Sequence, residues 1–307
     1  MKNGVQNRIQ SGPDGSLFVK APAKVNLFLH VTGRRDDGYH LLESLFSFTK
    51  KGDLLRFLPS ETLNLSISGP FAQVLSAEKA ADNLVMKAAA ALAAHTGVQK
   101  GAAIELEKNL PVASGLGGGS ADAAATLIGL NALWKTGLSL DELCPIALSL
   151  GADIPACLFS VSQIVRGIGD VRKPIELPWS AGIVIVNPLK KVSTPEVFDG
   201  FRTFRERRGL SPFDVAITDL EKVVSDLSLL DVLTGNSLQD SAVQLCPEIM
   251  EAERFLRLNS QNELIRMSGS GASVFALYHD KAAAESVARR AREHAPNWWV
   301  MADTIGG

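Results

Sequence analysis

A glycine-rich stretch at residues 111–120 constrains the fold of this chain more than any other feature of its sequence. It reads Pro-Val-Ala-Ser-Gly-Leu-Gly-Gly-Gly-Ser and continues into an alanine-rich segment that begins at Ala121. Glycine tolerates positive φ, so the backbone N–H groups of such a run can turn inward and form a concave anion nest. A helix directly behind the loop adds N–H groups without acceptors and the positive end of its dipole. The stretch therefore predicts a phosphate-binding loop at the start of a helix.

The loop differs from the two commonest phosphate loops. A Walker A sequence ends in Gly-Lys-Ser/Thr, whereas this chain has no lysine between Lys108 and Lys135. A dinucleotide fingerprint follows a buried parallel strand, whereas residues 102–111 alternate like a half-exposed antiparallel strand. A flexible linker is the remaining alternative, although an apolar helix rarely follows a linker.

The composition favours a cytoplasmic enzyme. The chain has 307 residues, 46% of them apolar, which is enough for one large or two medium domains with apolar cores. A net charge of −2 without a basic stripe argues against a nucleic-acid partner. The widely spaced Cys144, Cys157 and Cys246 indicate neither a disulfide framework nor a zinc site. Because residues 1–16 are polar and no apolar run reaches transmembrane length, we expect a disordered N-terminal extension and no membrane partner.

Hydrophobic periodicity predicts an α+β chain with mixed β-sheets in two domains, 1–165 and 166–307. Strands are expected at residues 17–20, 21–31, 39–48, 53–58, 63–68, 163–166 and 182–186, with a strand–loop–strand at 264–277. Helices are expected at residues 83–94, 120–134, 140–149, 214–227, 238–246, 248–258 and 280–293. Asp82 is expected to cap the first helix, and Ser139 with Glu142 forms a capping box for the third.

Three motifs occur together in a characteristic order. They are the strand that carries Lys24 and Asn26, the glycine loop, and a second glycine turn at Ser268–Gly271. This order and spacing resembles the GHMP kinase superfamily, over about residues 18–278. The resemblance implies a two-domain GHMP kinase-like fold, an active site in the cleft between the domains, and phosphoryl transfer from ATP. Ser268 stands where many relatives carry threonine, which keeps the hydroxyl, and residues 1–16 have no match.

The resemblance implies that Asp153, in Gly-Ala-Asp-Ile-Pro, is the catalytic base and that Lys24 keeps it ionised. Such a pair is chemically coherent, because a nearby cation stabilises a carboxylate and a developing alkoxide. From the residues alone, an aspartate before Ile-Pro is more often a helix cap, and a strand lysine is more often a solvated or paired charge.

The glycine loop would hold the ATP phosphates, with the N–H groups of residues 116–120 as donors. The resemblance implies these ATP-binding residues: Asn83, Pro111, Ala113, Ser114, Gly115, Leu116, Gly117, Gly118, Gly119 and Ser120. Asn83 would lie near the adenine, or would be only a residue of a helix's first turn. The Ser120 hydroxyl would meet phosphate or Mg²⁺, or would be only an N-cap. Mg²⁺ is expected as a cofactor, without an identified protein ligand.

Finer motifs resemble a branch of the superfamily whose acceptor is a small CDP-linked alcohol. Tyr39 would pack on the cytosine, His40 would read its edge, and Phe198 would supply a second ring. From the residues alone, the two aromatic residues are more often core residues and the histidine a turn residue. Asn26 would contact the acceptor or Lys24, and Ser268 with Gly269 would complete the acceptor site.

The function implied is direct in-line phosphorylation of the acceptor hydroxyl, without a phosphoenzyme. Two alternatives stay open. The chain is another small-molecule kinase of the superfamily, of the homoserine or mevalonate type, or it is a nucleotide-binding regulator without catalysis. Retention of both Lys24 and Asp153 argues against the regulator.

Overall fold

The computed structural model describes residues 8–76, 82–259 and 263–306. They form two compact units that interleave along the chain. The first unit comprises Met1–Lys24, Lys51–Val112 and Gly117–Ser160, and the second comprises Val25–Lys50, Ala113–Leu116 and Val161–Gly307. The division of the sequence at residues 165/166 stays a prediction.

The first unit combines strands with a group of packed helices. Its strands are β1 (Ile9–Ser11), the start of β2 (Leu17–Arg34), the end of β3 (His40–Ser60), β4 (Leu63–Ser68) and β5 (Gly101–Glu107). Its helices are α1 (Ala72–Ser76), α2 (Leu84–Thr96), α3 (Gly118–Trp134), α4 (Leu140–Leu150) and α5 (Ile154–Phe159). β1 pairs antiparallel with β2, and β5 pairs antiparallel with β3 and parallel with β4. Helices α2 to α5 pack on one another.

Helix α3 is the central helix of the first unit and is buried over most of its length, as its apolar sequence predicts. Gly129 lies against the ring of Phe57 so closely that a Cβ there would come within 2.3 Å of the ring. A residue without a side chain is therefore needed at position 129 for the helix to approach the sheet. This close packing fixes the helix whose first turn follows the glycine loop.

The second unit contains the rest of β2 and β3 and two groups of strands. Its further strands are β6 (Gln163–Gly167), β7 (Val171–Pro174), β8 (Ser180–Asn187), β9 (Leu264–Met267), β10 (Val274–Tyr278) and β11 (Trp299–Gly306). Its helices are α6 (Thr194–Arg207), α7 (Leu220–Ser225), α8 (Leu227–Leu233), α9 (Gln239–Leu245), α10 (Glu248–Leu258) and α11 (Lys281–His294). β6 pairs antiparallel with β3 and β7, and a second, antiparallel sheet has the order β11-β8-β10-β9. Helices cover that sheet around buried Phe201 and Tyr278.

The predicted α+β class with mixed sheets is confirmed, as is the capping box of Ser139 and Glu142 at the start of α4. The strands predicted at 17–20 and 21–31 are one strand, β2, and those predicted at 39–48 and 53–58 are one strand, β3. The sequence around Gly52 suggested a break. Instead, Gly52 lies against the backbone of Ala21, where a Cβ would come within 2.0 Å of the carbonyl oxygen.

Several helices differ from the prediction. The helix predicted at 214–227 is replaced by α7 and α8, which Asp226 separates as the N-cap of α8. Helices α5 and α6 and strands β7 and β11 were not expected. Asn83, not Asp82, caps α2, because its side chain accepts the N–H of Val85 at 2.9 Å. Helix α5 and strand β11 are short, largely buried apolar segments whose order depends on tertiary contacts rather than on a local sequence signal.

The expected disorder of residues 1–16 is wrong for residues 8–16. Ile9–Ser11 forms β1, and the Asp14 carboxylate accepts the N–H of Ser16 at 3.1 Å in the turn before β2. Residues 1–7 lie outside the described part of the chain. Within the described ranges, none of the helices has the length and apolar character that a membrane span requires.

Candidate active site

The glycine loop leads into the N-terminus of α3, as its sequence predicts. Gly117 is the N-cap, with φ 62°, and Ala121 N–H donates the first intrahelical bond to its carbonyl at 2.8 Å. The N–H groups of residues 118, 119 and 120 therefore lack intrahelical acceptors and share the positive end of the helix dipole. Ser120 is the third helical residue, so the N-cap alternative for it is wrong. The geometry is that of an anion-binding helix terminus.

Lys24 lies beside this helix terminus within the first unit. A Cβ at Gly117 would come within 3.1 Å of both Cβ and Cε of Lys24. Gly117 thus combines a positive φ, which glycine adopts without strain, with a close approach by the lysine side chain, which a Cβ would force to shift. The lysine ammonium is thereby brought alongside the loop from a different strand.

Lys24 forms an ion pair with Asp153. Its Nζ lies 3.1 Å from Asp153 Oδ2, and the lysine is 5% exposed, whereas the aspartate side chain is 34% exposed. Asp153 occupies the N-cap position of α5, but in the described structure its side chain makes no capping hydrogen bond. Asp153 is therefore a helix cap by its backbone position, but its carboxylate does not act as the capping group. A partly exposed carboxylate beside a buried cation is suited to accepting a proton from a bound hydroxyl.

A buried charge cluster lies beneath the first turns of α3, and sequence reasoning missed it. Lys108 Nζ contacts Asp53 Oδ2 at 2.5 Å and Asp122 Oδ2 at 2.6 Å. Asp53 Oδ1 also accepts the backbone N–H groups of Asn109 and Leu110, which lead into the glycine loop. The cluster therefore joins the chain before the loop to the helix behind it.

Charge in this cluster is unevenly compensated. Burial lowers the pKa of Lys108, but the attraction of Asp122 and Asp53 outweighs it and the net pKa is raised. Burial raises the pKa of Asp122 to about 7, and the Asp53 carboxylate acts in the same direction against Lys108. Among the described residues, Asp122 Oδ1 has no hydrogen-bond partner, which leaves an atom on which a proton can reside.

The two glycine turns of the sequence meet within the second unit. The Ser268 hydroxyl donates to Gly115 O at 2.9 Å and accepts the backbone N–H of Asn26 at 3.1 Å. Gly115 has φ 76°, and a Cβ there would lie 2.1 Å from Ser268 O. Ser268 is fully buried and Asn26 is 2% exposed, with its amide donated to Ser44 Oγ at 2.9 Å. These side chains support the loop; their expected contact with the acceptor stays a prediction, as does that of Gly269.

Two other residues expected at the nucleotide have distinct environments. Asn83 caps α2, so the helix-end alternative is correct for its side-chain oxygen, and a contact with adenine stays a prediction. Ser114 is buried, and its carbonyl accepts the N–H of Ser273 at 3.2 Å. Its hydroxyl has no hydrogen-bond partner among the described residues. A buried hydroxyl without a partner is unfavourable unless a ligand or water completes its hydrogen bonding.

Tyr39, His40 and Phe198 line one pocket of about 480 Å³ in the second unit, together with Arg34 and Asp199. Tyr39 is 64% exposed, and the His40 ring stacks on Phe198 with centroids 4.7 Å apart. One face of Phe198 is therefore already covered by His40. Burial, followed by the repulsion of Arg34, lowers the pKa of His40, so the neutral ring offers one donor and one acceptor nitrogen.

The donor set fits a magnesium ion that arrives with a nucleotide. Mg²⁺ keeps several waters and needs few protein ligands when phosphate oxygens are present. The Ser120 hydroxyl is half-buried in the first turn of α3, and its expected contact with Mg²⁺ stays a prediction. Across residues 8–76, 82–259 and 263–306, the His, Cys, Asp and Glu side chains form no cluster of three that would hold a metal by itself.

The comparisons with known proteins agree with this geometry. Residues 83–161 match the family described as GHMP kinases N terminal domain, and residues 216–297 match GHMP kinases C terminal. The first match contains the glycine loop and Asp153, and the second contains the turn at Ser268.

The 4-diphosphocytidyl-2-C-methyl-D-erythritol kinase of Paramagnetospirillum magneticum is 43% identical over 93% of this chain and 97% of its own length. A crystal structure of 4-(cytidine 5'-diphospho)-2C-methyl-D-erythritol kinase superposes with a TM-score of 0.78 at 33% identity, over 94% of this chain and 99% of that one. Homoserine kinase from Cytophaga hutchinsonii shares the fold, with a TM-score of 0.69 at 21% identity over 96% and 95% of the two chains. The chain therefore belongs to the 4-diphosphocytidyl-2-C-methyl-D-erythritol kinase family of the GHMP kinases.

Proposed function

We propose that this kinase transfers the γ-phosphoryl group of ATP to a hydroxyl of 4-diphosphocytidyl-2-C-methyl-D-erythritol, in the non-mevalonate route to isoprenoid precursors. The names of its relatives supply the acceptor. The observation that carries the chemistry is the ion pair of Lys24 and Asp153 beside Gly117. Cytoplasmic location is part of the proposal.

Each part of the reaction has a proposed residue. The N–H groups at the start of α3 and along residues 116–120 hold the phosphates of ATP. Asp153 accepts the acceptor's hydroxyl proton while that oxygen bonds to the γ-phosphorus, and the bond to the β,γ-bridging oxygen breaks to release ADP. Lys24 stabilises the carboxylate before transfer and the developing alkoxide during it.

Magnesium would be held by the triphosphate and by the Ser120 hydroxyl. When bound, it neutralises charge that develops on the phosphate oxygens. A covalent phosphoenzyme is not part of the proposal, because the cysteine nearest Asp153 in sequence is unreactive. Burial, with the negative charge of Asp153, raises the pKa of Cys157 to about 12, which keeps its thiol protonated.

The acceptor's cytosine would occupy the pocket of Tyr39 and His40. The exposed Tyr39 ring is a stacking platform, and the neutral His40 ring pairs with the donor and acceptor atoms of the cytosine edge. Because His40 covers one face of Phe198, we propose that Phe198 orients His40 and offers the base its other face or its edge.

An acceptor panel tests the proposed substrate. The purified protein is given γ-labelled ATP with Mg²⁺ and, separately, 4-diphosphocytidyl-2-C-methyl-D-erythritol, homoserine or mevalonate. We expect labelled product from the CDP-linked acceptor only. Turnover of homoserine or mevalonate instead would identify the alternative kinase, and ATP binding without product from any acceptor would identify a regulator.

Replacing Tyr39 by Ala tests the cytosine pocket. Loss of a base-stacking contact is worth about 1–3 kcal/mol, so the KM for the acceptor should rise about 5- to 160-fold. The KM for ATP should stay within about twofold, because Tyr39 is not part of the glycine loop. Tyr39→Phe keeps the ring and should behave like the parent enzyme. Equal losses for ATP and acceptor in steady-state kinetics would contradict the pocket assignment.

A further inference from the structure

Arg8 is a buried cation in the N-terminal segment that has no match in the superfamily motifs. It is 9% exposed, and among the described residues its guanidinium has no carboxylate partner. Its Nη1 donates to Cys157 O at 2.8 Å and Leu158 O at 3.0 Å, and its Nη2 donates to Lys20 O at 2.9 Å. One side chain thus joins the last turn of α5 to strand β2.

These acceptors belong to the two elements that carry the ion pair. Lys20 lies four residues before Lys24 on β2, and Cys157 and Leu158 lie in the last turn of the helix whose N-cap is Asp153. Helix α5 has only 6 residues, about 9 Å at 1.5 Å per residue. Asp153 is the N-cap of this short helix, so we expect a displacement of its last turn to shift Asp153 as well. The guanidinium fork spans the two elements and restricts that movement.

The energetics of Arg8 argue against a purely stabilising role. Burial lowers its pKa to about 10, which reflects the unfavourable removal of the cation from water. Interaction with carbonyls at a helix C-terminus offsets part of this penalty. Even whole buried ion pairs can often be replaced by apolar residues without loss of stability. The burial of the Arg8 cation is better explained by the position in which it holds α5 against β2.

We propose that Arg8 is a positioning residue, which holds Asp153 at its distance from Lys24 by fastening the end of α5 to β2. The inference rests on the proposed function, in which these two residues carry out catalysis. Displacement of a reacting group by about 1 Å can lower the rate a hundredfold. Arg8 itself touches neither substrate.

The test compares Arg8→Met with a variant that loosens the same N-terminal hairpin elsewhere. Arg56 pairs with Asp14, in the turn between β1 and β2, and with Glu105 at 3.0 Å. Arg56→Met therefore weakens the hairpin without touching α5. We expect Arg8→Met to lower kcat about 10- to 100-fold with both KM values within about twofold. Arg56→Met should keep kcat, even where the two variants lower Tm equally.

A double-variant cycle separates positioning from general damage. If Arg8 acts through Asp153, Arg8→Met should have little further effect on kcat in the Asp153→Asn background. An unchanged kcat in Arg8→Met, or an equal loss in both backgrounds, would overturn the proposal. Arg8→Lys keeps the cation but makes fewer bridging hydrogen bonds, so its kcat should fall about 3- to 10-fold. If Arg8→Met does not fold, Arg8→Lys takes its place in the same double-variant cycle, with the same criteria. Parent enzyme that phosphorylates no acceptor contradicts the proposed function instead.

Discussion

Asp153→Asn should lower kcat for phosphorylation of the CDP-linked acceptor by about 10²- to 10⁴-fold, the usual contribution of a general base. The amide is nearly isosteric but cannot take the acceptor's proton, and it no longer compensates the charge of Lys24, 3.1 Å away. The affinity for ATP should stay within a few fold, because the N–H groups at the start of α3 are unchanged. Single-turnover kinetics with labelled ATP and calorimetric titration of a non-hydrolysable ATP analogue measure the two quantities.

Asp141→Asn is the matched control for this experiment. Asp141 lies in the exposed first turn of α4, in the same unit as Asp153, so the same chemical change is made away from Lys24. Its kcat should equal that of the parent enzyme. Unchanged turnover in Asp153→Asn would refute the assignment of the base, and a large loss of ATP affinity would instead indicate that the change disturbs the glycine loop.

Lys108→Met should lower the free energy of unfolding by about 3–5 kcal/mol, because it leaves two buried carboxylates without their cation. Asp53 and Asp122 lie 2.5 and 2.6 Å from the ammonium, and all three side chains are almost completely buried. Denaturant unfolding at pH 7 measures the loss. Lys87→Met, at an exposed lysine of α2, is the control and should leave the free energy of unfolding nearly unchanged.

The pH dependence of the same experiment distinguishes the two carboxylates. The pKa of Asp122 in the folded protein is raised from 3.8 to about 7. Its contribution to the free energy of unfolding is therefore favourable at low pH and is lost as the pH rises between these two values. Asp122→Asn does not ionise and so does not suffer this loss. The free energy of unfolding of the variant, relative to that of the parent, should therefore increase from pH 4 to pH 8. Asp53→Asn should destabilise throughout, because Asp53 also accepts two backbone N–H groups. A constant difference between Asp122→Asn and the parent would contradict the assignment.

The extent to which the sequence predicts this protein depends on how local each interaction is. The capping box of Ser139 and Glu142 spans four consecutive residues, and the turn at Gly117 lies within the glycine loop. Both are local features, so the sequence alone predicts them. The ion pair of Lys24 and Asp153 has no local signal. It was expected only because motifs in a known order indicated it, and the structure has the pair at 3.1 Å.

The features that were missed depend on tertiary contacts. Asp53, Lys108 and Asp122 are separated by 55 and 14 positions without a recognisable pattern, although a lysine directly before the loop was visible. The order of Arg8 has no local sequence signal, because its acceptors, Cys157 and Leu158, lie about 150 positions away. The continuity of strand β3 through Gly52 has no local signal either, because a glycine among polar residues is found both in turns and at close backbone contacts.

The contact between Gly117 and Lys24 has an evolutionary consequence. A Cβ at position 117 would lie 3.1 Å from Lys24 and would require the lysine side chain to shift by a few tenths of an ångström, and Lys24 supplies a positive charge that the loop itself does not carry. We therefore expect these two positions to vary together among relatives, although 93 positions separate them in the sequence.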